Sequence, residues 1–207
     1  MSIITAIEFQ KKNKDRVNLY VDGEYLLSLY AELIYKYRLE KGQEVDREKL
    51  VEILKMDEYE KAKNKALQSI TRAEKSEKKM REKLSKDFEE DTIEQVIEFL
   101  KKYSLIDDER FAERIVSNDV NFKRVGKNKI KQNLYSKGIA REEIENAISE
   151  IDREKELENA IYLAEKKISK IKSTDKRVIK NKLYQHLAYK GFDYETINSA
   201  IRRVLED

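Results

Sequence analysis

The 207-residue chain contains no cysteine, proline or tryptophan, only five glycines and a single histidine. Without cysteine, disulfide bonds and thiolate chemistry are excluded, as is typical of proteins in a reducing compartment. Without proline, helices can run uninterrupted. No apolar run approaches the ~18 residues of a membrane span, and the first ten residues lack the basic and apolar regions of a secretion signal. We therefore expect a soluble cytoplasmic protein that does not enter a membrane.

Charged residues, by contrast, are abundant in this chain. Charged residues make up 41% of the chain, against ~25% in typical soluble domains, and apolar residues make up 40%, against ~45–50%. Most of the charged residues favour helix. The composition therefore predicts a mainly α protein with much solvated surface, such as an elongated helical array.

A pattern of apolar residues recurs three times along the chain. In its clearest copy, within Lys123–Arg141, Ile130 and Leu134 stand at helical spacing and Gly138 follows where a left-handed helix end needs no Cβ. A period near 50 residues indicates a supersecondary unit copied in tandem, here a three-helix repeat. The first copy lacks the glycine and must end its helix in another way. The matched positions are Met80, Leu84, Phe88, Ile93 and Ile97; Ile130, Leu134, Ile139, Ile144 and Ile148; and Leu183, Leu187, Phe192, Ile197 and Ile201.

The first 29 residues follow a strand pattern instead. Asp22-Gly23 lies between two β-patterned runs, and both residues tolerate the positive φ of a tight hairpin turn. The fold class predicted is therefore mainly α, with three tandem three-helix repeats in an elongated array, preceded by a small N-terminal β-hairpin element.

Capping signals predict where helices begin. Asp46 is expected to cap a helix that buries Leu50, Ile53 and Leu54, and Asp57 with Glu60 resembles a capping box that begins another. Later helices are expected to begin at Ser76, Asp91, Asp107 and Asp193. The predicted divisions are 1–56 for the β-hairpin plus helices, 57–106 for repeat one, 107–153 for repeat two and 154–207 for repeat three.

The net charge of +3 conceals alternating blocks. The net charge is +7 over 61–86, +7 over 123–141 and +8 over 166–190, with blocks of −6 at 89–113 and 142–158 between them. Basic stripes side by side on stacked repeats would form an electrostatic footprint for a polyanion. Alternatively, the basic and acidic halves neutralise one another between neighbouring repeats.

Tyrosines interleave with the basic residues. The rings of Tyr135, Tyr184 and Tyr189 could stack on bases, or else fill gaps between repeats. Lys127, Lys129 and Lys131 are expected to keep their ammonium groups in water unless a partner neutralises them. The candidate binding residues are Lys79, Arg81, Lys83, Lys123, Arg124, Lys127, Lys129, Lys131, Tyr135, Lys137, Lys176, Arg177, Lys180, Lys182, Tyr184 and Lys190.

Little in the sequence indicates catalysis. His186 precedes a core leucine in a basic helix, which is more typical of a surface or repeat-interface residue than of a general base. The run Asp107-Asp108-Glu109 could hold a divalent cation, but contiguous carboxylates at a helix start usually act as caps. Phosphate-binding loops and the common zinc motif are absent from the sequence. We predict no catalytic residue, no metal site and no cofactor.

The most specific motif is the run Leu105-Ile106-Asp107-Asp108-Glu109-Arg110-Phe111-Ala112. It is followed by Gly126, by Ile130 and Leu134, and by Lys137-Gly138-Ile139. From about residue 57 to the end, this chain resembles the RecX family, regulators of the RecA recombinase. The stretch Arg72–Leu84 is similar to the family's first repeat, and the N-terminal β pattern to the extension of its longer members.

The resemblance implies a protein that binds the RecA filament on single-stranded DNA, enters the filament groove and modulates ATP hydrolysis and strand exchange, commonly by inhibition. Roles in homologous recombination, DNA repair and the SOS response follow from it, as does a chain without catalytic residues. We expect a monomer that contacts RecA and single-stranded or double-stranded DNA. Two alternatives remain: a free-standing, sequence-nonspecific nucleic-acid-binding protein and a scaffolding helical-repeat protein.

Overall fold

The structure, a computed structural model, describes residues 2–206, which form two compact units. Unit one comprises residues 2–73 and 80–105, and unit two comprises 74–79 and 106–206. As predicted, the chain is mainly α-helical, with antiparallel strands at its N-terminal end.

The N-terminal strands form one antiparallel sheet in the order β3-β2-β1-β4. The predicted hairpin turn is confirmed, because Asp22 (φ 50°) and Gly23 (φ 87°) connect β2 to β3 with both residues at positive φ. The short β4 was not predicted from the sequence. The strands are β1 (Ser2–Phe9), β2 (Arg16–Val21), β3 (Glu24–Tyr30) and β4 (Glu44–Val45).

Two helices follow in unit one, α1 (Ala31–Lys36) and α2 (Arg47–Arg72). The predicted cap at Asp46 is confirmed, since its carboxylate accepts the Lys49 amide at 2.7 Å. The predicted burial along α2 is corrected at one position: Leu54 is 46% exposed, whereas Ile53 is buried against the sheet. The 26 residues of α2 form one continuous helix.

The helix start predicted at Asp57 is therefore wrong. Asp57 lies in the middle of α2 and is 1% exposed. Its carboxylate accepts the backbone amide of Tyr30 at 2.8 Å and pairs with Arg16 at 3.2 Å and Lys61 at 2.6 Å. The acidic residue thus joins α2 to the sheet and caps no helix.

The remaining helices form the three predicted repeats. Repeat one contains the C-terminal half of α2 with α3 (Glu77–Leu84) and α4 (Glu90–Lys102). Repeat two contains α5 (Asp108–Asn118), a π-helical turn (Asp119–Lys123), α6 (Lys127–Ser136) and α7 (Arg141–Ser149). Repeat three contains α8 (Arg153–Ile168), α9 (Lys176–Tyr189) and α10 (Tyr194–Glu206).

The second helix of each repeat buries the two matched apolar positions that define the repeat. Ile130 and Leu134 of α6 and Leu183 and Leu187 of α9 are all fully buried in their own repeat's core. Helix starts follow the predicted caps closely: Asp107 accepts the Arg110 amide at 3.0 Å and Asp193 the Thr196 amide at 2.8 Å. Asp91 lies in the first turn of α4, which begins one residue earlier.

The ends of these second helices differ as the glycine pattern predicts. Gly138 after α6 and Gly191 after α9 adopt φ of +83° and +91°. In repeat one, Asp87 and Phe88 donate their amides to the Leu84 carbonyl at 3.0 and 3.1 Å, and residues 85–88 include no positive φ. The first copy therefore closes α3 with a right-handed turn where the others use a left-handed glycine.

Candidate nucleic-acid interface

The basic helices α9 and α6 meet end to end in unit two. The Gly126 amide donates to the Lys190 carbonyl and the Asn128 amide to the Gly191 carbonyl, both at 3.0 Å. The free carbonyls at the end of one helix thus satisfy free amides at the start of the next, and the negative end of α9 meets the positive end of α6. A Cβ on Gly126 would lie 2.4 Å from the Phe192 backbone nitrogen, so this contact requires glycine.

A buried carboxylate completes this junction. Glu156, near the start of α8, is 4% exposed and accepts the Lys127 amide at 2.9 Å while its other oxygen lies 3.4 Å from the Lys127 ammonium. One helical turn later, the Asn159 side chain donates to the Val120 carbonyl at 2.9 Å. Repeat three therefore holds both the start of α6 and the π-helical turn before it.

A similar junction recurs in unit two at residues 74–79. The Ser76 hydroxyl donates to the Lys137 carbonyl at 2.5 Å, and the Glu77 amide donates to the Asp108 carboxylate at 2.9 Å. Gly138 lies at this junction as Gly191 lies at the other, but it packs less tightly, since a Cβ on it would lie 3.1 Å from the Ser76 hydroxyl oxygen. The acid at the start of one repeat's first helix thus caps the second helix of the repeat before it.

This junction explains the acidic run that also suggested a cation site. Asp107 caps its own helix α5, and Asp108 accepts the Glu77 amide. Among residues 2–206, no cluster of three or more histidine, cysteine or acidic residues has the arrangement of a metal site.

Within unit two, two of the three α6 lysines have a carboxylate partner that neutralises them. Lys127 contacts buried Glu156, and Lys131 pairs with Glu145, whose pKa is lowered chiefly by the hydrogen bond from that ammonium. Lys129 is exposed, with its ammonium 5.8 Å from the centre of the Tyr189 ring.

Lys123 and Arg124, at the end of the π-helical turn, also have structural contacts. The Lys123 ammonium lies 2.6 Å from the buried carboxylate of Asp119, which in turn accepts the Asn133 amide group at 2.8 Å. Arg124 adopts the left-handed conformation (φ 52°), and its guanidinium stacks 3.7 Å from the centre of the Tyr162 ring. The two basic residues therefore help to fix the connection into α6.

The N-terminal half of α9 carries unpaired positive charge. Lys176, Arg177, Lys180 and Lys182 are exposed, and they form no ion pair with any residue in 2–206. Lys190 is half-buried, and its carbonyl belongs to the junction with α6. Among the candidate binding residues, α9 therefore carries the largest number of exposed cations that form no ion pair within residues 2–206.

The tyrosines and the basic residues predicted as binding candidates in repeat one differ in their exposure and in their contacts. Tyr189 is 75% exposed, Tyr135 is 45% exposed, and Tyr184 makes an edge contact with Tyr194. Lys137 is exposed, with its ammonium 5.8 Å from the Phe111 ring centre.

In unit one, Arg81 forms ion pairs with Glu90 at 3.0 Å and Glu94 at 2.7 Å, and Lys83 is half-buried. Lys79 lies exposed in unit two.

A basic groove in repeat three contains residues that sequence reasoning did not select individually. The groove has a volume of about 600 Å³ and lies between the end of α8, the following loop and α9. Burial, together with the charges of Lys167 and Lys190, lowers the pKa of His186 in this groove. The charge count of the 166–190 block was the available signal, but it could not show which lysines converge. The lining residues are Lys167, Lys170, Ile171, Lys172, Lys182, Gln185, His186 and Tyr189.

The architecture and the basic surface define a class before any relative is considered: a helical-repeat binding protein whose repeats are joined through the ends of their basic helices. No helix within residues 2–206 is both long and apolar enough to cross a membrane.

Comparison with known proteins identifies the family. Four family models match successive segments: the regulatory protein RecX N-terminal domain at residues 2–46, and the first, second and third RecX three-helix domains at 62–100, 107–148 and 154–201. The chain belongs to the RecX family.

Relatives of similar length support the assignment. The chain is 50% identical over 205 residues to regulatory protein RecX of Clostridioides difficile strain 630, and 44% identical over 207 residues to that of Clostridium perfringens strain 13; each match covers 99% of this chain and 97% of the relative. A crystal structure of regulatory protein RecX superposes with a TM-score of 0.76 at 29% identity, covering all of both chains. That of RecX from Lactobacillus salivarius gives 0.69 at 31% identity, covering 73% of this chain and 99% of the other.

Proposed function

We propose that this chain is a non-enzymatic modulator of the RecA recombinase. It binds the RecA filament on single-stranded DNA and inhibits ATP hydrolysis and strand exchange, in recombination, DNA repair and the SOS response of the cytoplasm. The observation that carries the proposal is the match of all four RecX domains in order along the chain. A monomer without a bound cofactor is sufficient for this role.

The basic surface of repeats two and three supports contact with a polyanionic filament. Helices α6 and α9 are joined end to end, so exposed Lys129 of α6 and the free cation Lys182 of α9 belong to two connected helices. Successive phosphates can then be neutralised along one direction with little reading of base identity. Exposed Tyr189 lies at the junction of these helices and offers a ring for base stacking.

The test is RecA ATPase activity on single-stranded DNA while the protein is titrated in. We expect hydrolysis to fall with added protein, and strand exchange to fall with it. Unchanged hydrolysis and strand exchange at a saturating ratio to RecA would contradict the proposal.

A second candidate is a free-standing nucleic-acid-binding protein, favoured by the basic groove of repeat three, which is lined by four lysines and no carboxylate. Co-sedimentation separates the candidates. A RecA regulator sediments with RecA filaments well beyond its binding to naked DNA, whereas a free-standing binder sediments equally with both. A scaffolding protein sediments with neither.

A further inference from the structure

Repeat two also has an acidic groove, which is separate from the basic groove of repeat three. The acidic groove has a volume of about 720 Å³ and lies between α5, α7 and the start of α8. Five carboxylates line it, against one ammonium group. The carboxylates are those of Glu109, Glu113, Glu143, Glu150 and Asp152.

These carboxylates lack cationic partners. Within residues 2–206 none of the five forms an ion pair, and one oxygen of Glu143 is buried without any hydrogen bond. The single lining ammonium, that of Lys155, lies 2.9 Å from the carboxylate of Glu158, which is outside the groove. The one ammonium group that lines the groove is therefore paired with a carboxylate outside it.

Several acids elsewhere in the same unit are paired. Asp119, Glu145 and Glu156 each contact a lysine from their own repeat or its neighbour. By contrast, Glu109 and Glu113 lie four residues apart on α5, where like charges repel one another along a helix. Other acids of unit two that form no ion pair within residues 2–206, such as Glu154 and Glu165, lie outside the groove, but five unpaired carboxylates converge on this one surface.

The floor of the acidic groove is apolar. Val116 and Val120 from the α5 side and Ala147 and Ile151 from the α7 side line it, all at 7–9% exposure. An apolar floor between two charged walls is the form that accepts an amphipathic helix, whose apolar side chains enter the floor while its charges meet the walls.

From this charge complementarity we propose that the acidic groove binds a cationic, amphipathic peptide segment of a partner protein, with lysine or arginine on both sides of one or two apolar anchor side chains. This surface differs in charge from the basic helices α6 and α9, so one chain can engage a polyanion and a cationic protein segment through separate surfaces of unit two. The proposal does not rest on regulation of RecA.

The probe is a fluorescent synthetic peptide of about 14 residues, long enough for a helix of ~21 Å, with leucine at helical spacing and lysine elsewhere. Binding to the full chain is followed by anisotropy at low salt. Two control peptides accompany it, one with serine for leucine and one with glutamate for lysine. We expect binding of the parent peptide, weaker binding of the serine peptide and none of the glutamate peptide.

Variants of the chain locate the binding. Glu109 and Glu113 are exposed, so the double substitution Glu109→Gln/Glu113→Gln should keep the fold and weaken peptide binding roughly three- to tenfold. Its matched control is Glu154→Gln/Glu165→Gln, which removes two exposed charges of unit two outside the groove and should leave the affinity unchanged.

A third variant separates binding from stability. Asn146→Lys places an ammonium three residues after Glu143 of α7 and four residues before Glu150, which directly follows α7, where it can pair with them. The melting temperature should be unchanged or higher, while the peptide affinity falls at least as far as in the double variant.

Three results would overturn the proposal: equal peptide affinity in the groove and control variants, equal affinity for the leucine and serine peptides, or a concentration-dependent dimer that Asn146→Lys abolishes. The last would show that a second copy of this chain occupies the groove.

Discussion

Gly126 and Gly191 lie backbone to backbone, with the ideal Cβ position of Gly126 only 2.5 Å from the Gly191 carbonyl oxygen. The backbone of α6 lies equally close to Gly191, because a Cβ on Gly191 would lie 2.4 Å from the Lys129 amide nitrogen. Gly191 serves both as the left-handed end of α9 and as the surface on which α6 begins. The glycine of the repeat pattern therefore joins repeats as well as ending a helix.

Gly191→Ala is expected to destabilise repeats two and three by about 2–4 kcal/mol, because it combines left-handed strain with overlap against backbone that cannot rotate away. The measurement is urea unfolding followed by circular dichroism. Gly42→Ala is the matched control: its φ of +88° is similar, but a Cβ there meets nothing within 4 Å. The control should be destabilised by only about 1–2 kcal/mol. Equal destabilisation would show that the close approach to α6 contributes nothing.

The Lys127–Glu156 pair predicts different outcomes for neighbouring lysines. Lys127→Glu would place two carboxylates together at a site where Glu156 is buried, so we expect a decrease of about 2–4 kcal/mol in the free energy of unfolding. Lys129→Glu changes an exposed residue and should alter stability by no more than about 0.5 kcal/mol. Thermal melting of both variants is the measurement, and similar melting temperatures would contradict the structural role of Lys127.

The Lys127–Glu156 pair is a contact that the local sequence pattern does not predict. The repeat period, the β-hairpin and the caps at Asp46 and Asp107 depend on local patterns, and the structure confirms them. Lys127 and Lys129 look alike in the sequence, since both precede Ile130 in the same basic helix. Only the position of α8 distinguishes them, and that position depends on packing between residues about 30 apart.

Asp57 illustrates the same limit for secondary structure. An acid followed three residues later by glutamate occurs at helix starts, but it also occurs inside helices when a distant group uses the carboxylate. Here the groups are the Tyr30 amide and the Arg16 guanidinium of the sheet. The basic groove is a third case, because the charge block predicted its sign but not the convergence of α8, its loop and α9.

Removing lysines of the basic groove should change how DNA binding responds to salt. For Lys170→Ala/Lys182→Ala, we expect weaker binding to single-stranded DNA and a log–log salt slope that is shallower by about 0.7 for each phosphate that is no longer neutralised. The control is Lys55→Ala, an exposed lysine on α2 outside the three basic blocks, which should keep the parent slope. Anisotropy titrations between about 50 and 200 mM salt provide the measurement. A parent-like slope in the double variant would remove these two lysines from the interface.

His186 should make this groove sensitive to pH. Burial and the charges of Lys167 and Lys190 lower its pKa below the ordinary value of 6.5, so the folded chain takes up the proton less readily than the unfolded chain. Stability is therefore unaffected well above pH 6.5 and falls as the pH drops below that value toward the folded-state pKa. A bound phosphate would favour the protonated ring, and single-stranded DNA should therefore bind more tightly at about pH 5.5 than at about pH 7.5.

The variant His186→Gln tests this linkage, because glutamine retains polarity but takes up no proton in this range. Its DNA affinity should vary less between about pH 7.5 and pH 5.5 than that of the parent chain, at constant salt. Its melting temperature should also fall less over the same interval, since the unfavourable protonation of the folded state is gone. Carboxylates do not line the groove, so their own protonation at the acidic end is not expected to mimic the effect. If the variant and the parent show the same pH dependence of DNA affinity, phosphate does not bind beside His186, and the basic groove is not part of the DNA path.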